Sequence, residues 1–275
     1  MSSTLPTEPS PHPAPSVAYF DLQASWGFTK HLGGTTATDT LLTCCRVGAD
    51  TRLLEIGCGV GITPCYAAQT RGCRVAAVDL SERMIGWARR RVLRLNLADR
   101  ITFTTADAQH LPFPDHSFDA VICESVLAFV PDQHRALAEY ARVTRPGGYV
   151  GLAEGAWLAP PPPELEAYLA RAMGGAHFLS PDDWATLLQS SGLAVISAEP
   201  HRVRPREQWR GEVSRLDRSD LPDYVRAWRT FLALLVSSAE FRHYIRTLWP
   251  SSPHVFRMFD YFGYGIVVGR KTLTS

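Results

Sequence analysis

From Arg52 onward, two rhythms of apolar and polar positions alternate along the chain. Short apolar runs recur at Arg52–Ile56, Arg74–Val78, Ile101–Thr105, Phe118–Cys123 and Tyr149–Ala153, and each reads as a buried strand. Between them lie segments whose apolar residues recur at helical spacing: Ile62–Gln69, Ser81–Leu95 and Gln133–Val143. Met84, Ile85, Ala88, Val92 and Leu95 share one face of the second helix, and Ser81 is its expected N-cap. Pro146-Gly-Gly148 is the expected stop of the third. Strand and helix alternating at this spacing predict an α/β fold, a doubly wound parallel sheet covered by helices on both faces.

The flanks have a different texture. Residues 1–16 hold five prolines and almost nothing apolar, which predicts a disordered tail. Val17–Lys30 reads as a short helix, His31-Leu-Gly-Gly34 as a turn, and Thr35–Cys45 as a helix with Thr38, Leu41, Leu42 and Cys45 facing inward. After the fifth strand, Pro160–Pro163 is a rigid linker. Helices follow at Glu164–Met173 and Pro181–Ser190, the latter capped by Ser180, then a sixth strand at Leu193–Ala198. Residues 206–250 read as helical, with Ser237-Ser-Ala-Glu240 as a capping box that restarts a second helix. Phe259–Gly269 is the expected last strand. The predicted organisation is therefore a tail (1–16) and a single domain (17–275). The domain comprises cap helices (17–45), a core (46–200), a helical insertion between strands six and seven (201–255) and a final strand (256–275).

Composition removes several classes of function. With 28 basic and 27 acidic residues the net charge is +1, which offers nothing to nucleic acid or an anionic membrane. No apolar run is long enough to span a bilayer, and the first 16 residues lack the pattern of a secretory leader, so a cytoplasmic protein is expected. None of the six cysteines forms a C-x-x-C pair, so no metal site is expected. They read as small buried residues, with a thiolate cluster for a soft metalloid as the alternative.

The chemistry gathers where strands end. The first strand runs into Gly57-x-Gly59-x-Gly61 and a helix follows, an arrangement that lets backbone approach a ligand and presents free helix N–H groups to it. The dinucleotide fingerprint G-x-G-x-x-G needs a glycine at Ile62, so the pattern differs from it. Asp79 ends the second strand, 18 residues beyond Gly61, where a carboxylate can accept both hydroxyls of a ribose. Asp107 follows the third strand, where a carboxylate can accept an adenine amino group. Glu55, Asp79 and Asp107 thus lie at the carboxyl ends of neighbouring parallel strands, the place where open sheets bind ligands.

Residues 52–154 resemble the class I S-adenosylmethionine-dependent methyltransferases, in the branch that acts on small molecules. The segments that carry the resemblance are Leu54-Glu-Ile-Gly-Cys-Gly-Val-Gly61, Val78-Asp-Leu-Ser-Glu-Arg-Met84, Ala106-Asp-Ala-Gln-His-Leu-Pro-Phe113, Phe118-Asp-Ala-Val121 and Arg145-Pro-Gly-Gly-Tyr149. The resemblance implies a Rossmann-like seven-stranded sheet whose seventh strand lies antiparallel at one edge. It implies that Glu55, Gly57, Gly59 and Gly61 cradle the methionine part of S-adenosylmethionine. Asp79 and Leu80 would then border the ribose, Met84 the adenine edge, and Asp107 and Ala108 the adenine ring. Glu124 would line the junction of cofactor and acceptor.

The implied reaction is in-line transfer of a methyl group to an O, N or C nucleophile of a small, largely apolar acceptor. Candidate catalytic groups are Glu124, which follows an apolar strand, and His31, in the cap turn. Glu154, Tyr224, Trp228 and Tyr264 are the candidates for contact with the acceptor. With Phe231, Tyr244 and Trp249, the aromatics of the insertion would form a roof that excludes water. Packing of the insertion onto the body, or a homodimer contact, is the other use open to those side chains. Metalloid or thiol methylation, and a non-catalytic subunit that binds the cofactor, are the rival functions.

Overall fold

The structure, a computed structural model, describes residues 23–24, 31–203, 221–247 and 257–273. The tail, most of the helix expected at 17–30, residues 206–220 and Trp249 lie outside the described residues. Within them the five apolar runs form parallel strands: β1 (Arg52–Ile56), β2 (Arg74–Asp79), β3 (Ile101–Thr105), β4 (Phe118–Glu124) and β5 (Thr144–Trp157). With β6 (Leu193–Arg202) and β7 (Phe262–Lys271) they make a seven-stranded sheet in the order β3-β2-β1-β4-β5-β7-β6.

β7 is antiparallel to both its neighbours, but it is not at the edge. It lies between β5 and β6, because its two sides offer full ladders to each, and β6 is the edge strand. The step from β1 outward to β2 and back to β4 opens a crevice at the carboxyl ends of these strands.

The helices are α1 (Gly34–Cys44), α2 (Ile62–Arg71), α3 (Glu82–Arg94), α4 (Gln133–Val143), α5 (Pro163–Ala172), α6 (Pro181–Ser190), α7 (Leu221–Ser237), α8 (Ala239–Thr247) and α9 (Met258–Tyr261). Alternate strand residues feed two cores. Leu53, Val75, Ala77 and Ile122 pack with Leu41, Leu42, Cys65 and Ile85 from α1, α2 and α3. Leu54, Val121, Val150 and Leu152 pack on the other face with Leu137 and Tyr140 of α4 and Trp184 of α6. Trp184 is fully buried and donates its indole N–H to Gly155 O at 3.2 Å, so the large ring carries no unpaired donor.

Two local details differ from expectation. α4 ends at Val143 as predicted, but no turn follows: β5 begins at Thr144 and runs through Pro146-Gly-Gly148. Thr144 donates its hydroxyl to Tyr140 O, and Lys271 Nζ, arriving on β7, donates to Ala141 O and Thr144 O, so the last carbonyls are satisfied without a glycine stop. The break between α7 and α8 falls where expected, but the cap is Ser238, whose Oγ accepts the Phe241 amide; Ser237 donates its hydroxyl back to Ala233 O.

Candidate functional site

β1 delivers the chain into the glycine loop, with Gly57, Gly59 and Gly61 at φ 72°, 51° and 80°. The Gly57 and Cys58 amides both donate to Val78 O, which pins the loop against the end of β2. At Gly57 the requirement for glycine is steric as well as conformational: a Cβ there would stand 2.2 Å from Val126 Cγ2. Val126 belongs to the turn after β4, so that turn closes directly onto the loop.

Asp79 ties the loop to the next helix. Its Oδ2 accepts the Gly59 amide at 2.8 Å and its Oδ1 accepts the Ser81 amide at 2.9 Å. Burial raises this carboxyl above its ordinary value, and the two amides oppose the shift. Ser81 in turn caps α3 by accepting the Met84 amide, as expected. Met84 is buried with Val60 and Ala24. Leu80 turns outward and is exposed.

Glu55 and Glu124 lie deeper. Both are buried, and each has one carboxylate oxygen, Glu55 Oε2 and Glu124 Oε1, with no hydrogen-bond partner. Burial, then the nearby charges of Glu124 and Asp79, push the Glu55 carboxyl well above its usual range. Glu124 Oε2 accepts the hydroxyls of Thr63 (2.7 Å) and Thr38 (3.2 Å). Its Oε1 lies 3.9 Å from His31 Nδ1.

His31 joins this group. Its Nε2 lies 3.3 Å from Thr38 Oγ1, the hydroxyl that also bonds Glu124. On the other side of the ring Nδ1 bonds Leu32 O at 3.3 Å, and a carbonyl can only accept, so Nδ1 is the donor there. Glu124 Oε1 faces the same edge of the ring. The imidazole and the carboxylate therefore stand side by side at the end of β4.

The remaining candidates divide. Asp107 Oδ1 accepts the Gln109 amide at 2.8 Å, which fixes its carboxyl at the end of β3 beside Ala108. Tyr264 lies on β7 with its ring under the cap turn, where a Cβ on Gly33 would come within 2.5 Å of it, and it stacks on His201 at 4.9 Å. It therefore holds the turn that carries His31. Glu154 is buried below the turn after β4, with Oε1 accepting the Val126 and Leu127 amides. Trp228 of α7 packs edge-on against Phe231 and is 63% exposed, so its ring points out from the roof expected of it. The side chain of Tyr224 lies outside the described residues.

The sequence left several members unread. Thr38 was marked only as an inward helix position, and Thr63 carried no signal beyond its place in the first turn of α2. Trp87 was also missed. It donates its indole N–H to Ala24 O and lies against the guanidinium groups of Arg90 and Arg226, at 4.2 and 3.8 Å from the ring centre. The cap segment and α7 thus meet on one residue of α3.

Residues 54–152 match the methyltransferase domain family. The chain is 34% identical over 187 residues to the 27-O-demethylrifamycin SV methyltransferase of Amycolatopsis mediterranei, covering 66% of this chain and 68% of that protein. The chain belongs to the class I S-adenosylmethionine-dependent methyltransferases.

Among solved structures, this methyltransferase resembles the [4+2]-cyclase SpnF, with a TM-score of 0.72 at 18% identity over 96% of this chain and 99% of that one. It also resembles a methyltransferase from Geobacter sulfurreducens in complex with S-adenosylhomocysteine, with a TM-score of 0.67 at 21% identity over 92% and 97% of the two chains. These likenesses concern the fold. The cofactor of the family, S-adenosylmethionine, carries an ammonium and a sulfonium charge. Buried carboxylate oxygens without partners on Glu55 and Glu124 fit a cation of that kind. No helix among the described residues is long and apolar enough to cross a membrane.

Proposed function

We propose that this methyltransferase methylates a hydroxyl group of a small, largely apolar molecule. The observation that carries the reading is His31 Nδ1 facing Glu124 Oε1 and Leu32 O, with Nε2 held by Thr38. The glycine loop and Glu55 would hold the methionine part of the cofactor, Asp79 the ribose and Asp107 the adenine. When bound, S-adenosylmethionine supplies an activated methyl group on a positively charged sulfur. A hydroxyl placed between that methyl group and the His31–Glu124 pair gives its proton to the pair as its oxygen attacks in line. An oxygen acceptor accords with the relative above, whose name records a 27-O-demethyl substrate.

Metalloid chemistry has less support. Cys45, Cys58, Cys65, Cys73 and Cys123 are buried, and burial raises the thiols of Cys45, Cys58, Cys73 and Cys123, which makes thiolate ligands costly. Among the described residues no group of three or more His, Cys, Asp or Glu is arranged to hold a metal. The fold alone does not choose the reaction, since one structural neighbour is a cyclase.

The test is release of S-adenosylhomocysteine from the purified protein across a panel of hydroxylated apolar acceptors and their O-methylated or deoxy analogues. His31→Gln should lower turnover about 10²–10⁴-fold while its S-adenosylmethionine affinity, read by calorimetry, stays within a few-fold of wild type. Full turnover in His31→Gln, or equal turnover of the deoxy analogues, refutes the hydroxyl reading. No product with any acceptor favours the non-catalytic rival.

A further inference from the structure

Glu154 is a buried acid that the chemistry above does not use. It lies near the end of β5, 1% exposed, and its partners are two backbone amides and one thiol. Oε1 accepts the Val126 amide at 3.0 Å and the Leu127 amide at 2.8 Å, and Cys123 Sγ lies 3.5 Å away. The turn it holds is costly to form. Ser125 sits at φ 56°, a left-handed conformation that a serine seldom adopts, and a short 3-10 helix (Leu127–Phe129) follows at once. That turn is joined to Glu124 on one side. On the other it carries Val126, the side chain that fills the space over Gly57.

We propose that Glu154 is a positioning residue for cofactor binding: by anchoring the Ser125–Leu127 turn it seats Val126 on the glycine loop and holds Glu124 in register beneath it. A merely space-filling residue at this position would need no charge. The amides of an irregular turn are poorly satisfied by water once buried, and a carboxylate accepting two of them is a strong anchor.

Charge makes the role measurable. Burial lifts the Glu154 carboxyl to about 7, against the amides of Val126, Leu127 and Ala128 and the Cys123 thiol, which favour its charged form. Among the described residues, the titratable groups facing it are Cys123 on β4 and, behind that thiol, Tyr140 on α4, with Asp107 acting on Tyr140 from further off. Burial keeps both the thiol and the phenol protonated, so neither changes charge near neutrality. Opposite Glu154, β7 presents Gly265, and α6 sends Trp184 to the neighbouring Gly155 carbonyl; neither titrates. The anchor is therefore full strength above pH 7 and weakens as the acid takes up its proton.

The test uses the full chain and S-adenosylmethionine or S-adenosylhomocysteine alone, with no acceptor, so its outcome is separate from that of the hydroxyl reading. In Glu154→Gln the dissociation constant for S-adenosylmethionine should rise about tenfold relative to wild type at about pH 8.5, and the two proteins should converge to within about twofold at about pH 6. Amide hydrogen exchange at Val126 and Leu127 should quicken in the variant while β1 and β2 keep their protection. Val126→Ala keeps the acid and the turn but removes the contact on Gly57. It should weaken cofactor binding and keep the wild-type pH dependence. A ratio of dissociation constants that is the same at both pH values overturns the proposal. So does unchanged cofactor affinity in Val126→Ala.

Discussion

At the scale of the residue, the site divides into groups whose place in the chain already declares them and groups that matter only through space. The places of Glu55, Asp79 and Asp107 were legible because each lies at or just past the carboxyl end of a strand, and strand ends in this topology converge. Thr63 and Val126 were not, because their partners Glu124 and Gly57 lie 61 and 69 positions away and share no pattern with them. Asp79 illustrates the first kind. Asp79→Ala frees the Gly59 and Ser81 amides together, and should cost about 2 kcal/mol or more in cofactor binding by calorimetry.

Gly57→Ala illustrates the second kind. A positive φ and the Val126 overlap act together, so melting should show a loss of about 1–3 kcal/mol. Glu154 gives a signed pH test. Its carboxyl rises on folding from an ordinary 4.5 to about 7, so the folded state holds a proton that the unfolded chain has released between those values. Its net contribution to folding is complete below pH 4.5 and is lost as pH rises through 7, because the charge that tightens its hold on the turn amides costs more in burial than those bonds return. The melting temperature of Glu154→Gln should therefore gain on that of wild type between about pH 5 and pH 8. A constant difference would show that this acid does not titrate in the fold.

At the scale of the element, apolar periodicity located the strands and the α-helices of the core; it passed over the short 3-10 helix Leu127–Phe129, too brief to carry a period. α4 ends at Val143, as its periodicity predicts, but the expected stop Pro146-Gly-Gly148 lies inside β5, and Lys271 caps the helix from β7. Lys271→Met should lower stability by about 1 kcal/mol or more through the unpaired carbonyls of Ala141 and Thr144. Ser81→Ala, the cap of α3, should cost a similar amount, about 1 kcal/mol. Its effect should extend to cofactor binding, since the Ser81 amide is one of the two that hold Asp79. Chemical denaturation of each variant checks both values.

At the scale of the whole molecule, the sheet order followed from alternation, but the covering of the site did so only in part. Tyr244, expected in the roof, ties α8 to the body by donating its hydroxyl to Ala172 O. Trp228, expected beside it, faces outward, and α7 meets the body through Arg226 on Trp87, a residue of a helix assigned wholly to the core. A tryptophan flanked by arginines in an amphipathic helix carries no sign of which face it stacks on. Trp87→Leu removes the indole bond to Ala24 and both guanidinium contacts. It should speed amide exchange across Leu221–Ser237 and raise the acceptor KM several-fold, with little change in α2. Unaltered exchange in α7 would mean that the helix is held by other contacts.

The position of β7 also bears on the order in which the molecule is made. Synthesis releases β5 and then β6, but β6 touches the sheet only by way of β7. Until β7 emerges, β6 has no strand beside it, and β5 shows an open ladder to any passing chain. The closing strand slides between two edges that are already present and seals both at once. A chain stopped at residue 257 should thus retain its five parallel strands and lose solubility, a defect that β7 supplied as a separate peptide could relieve.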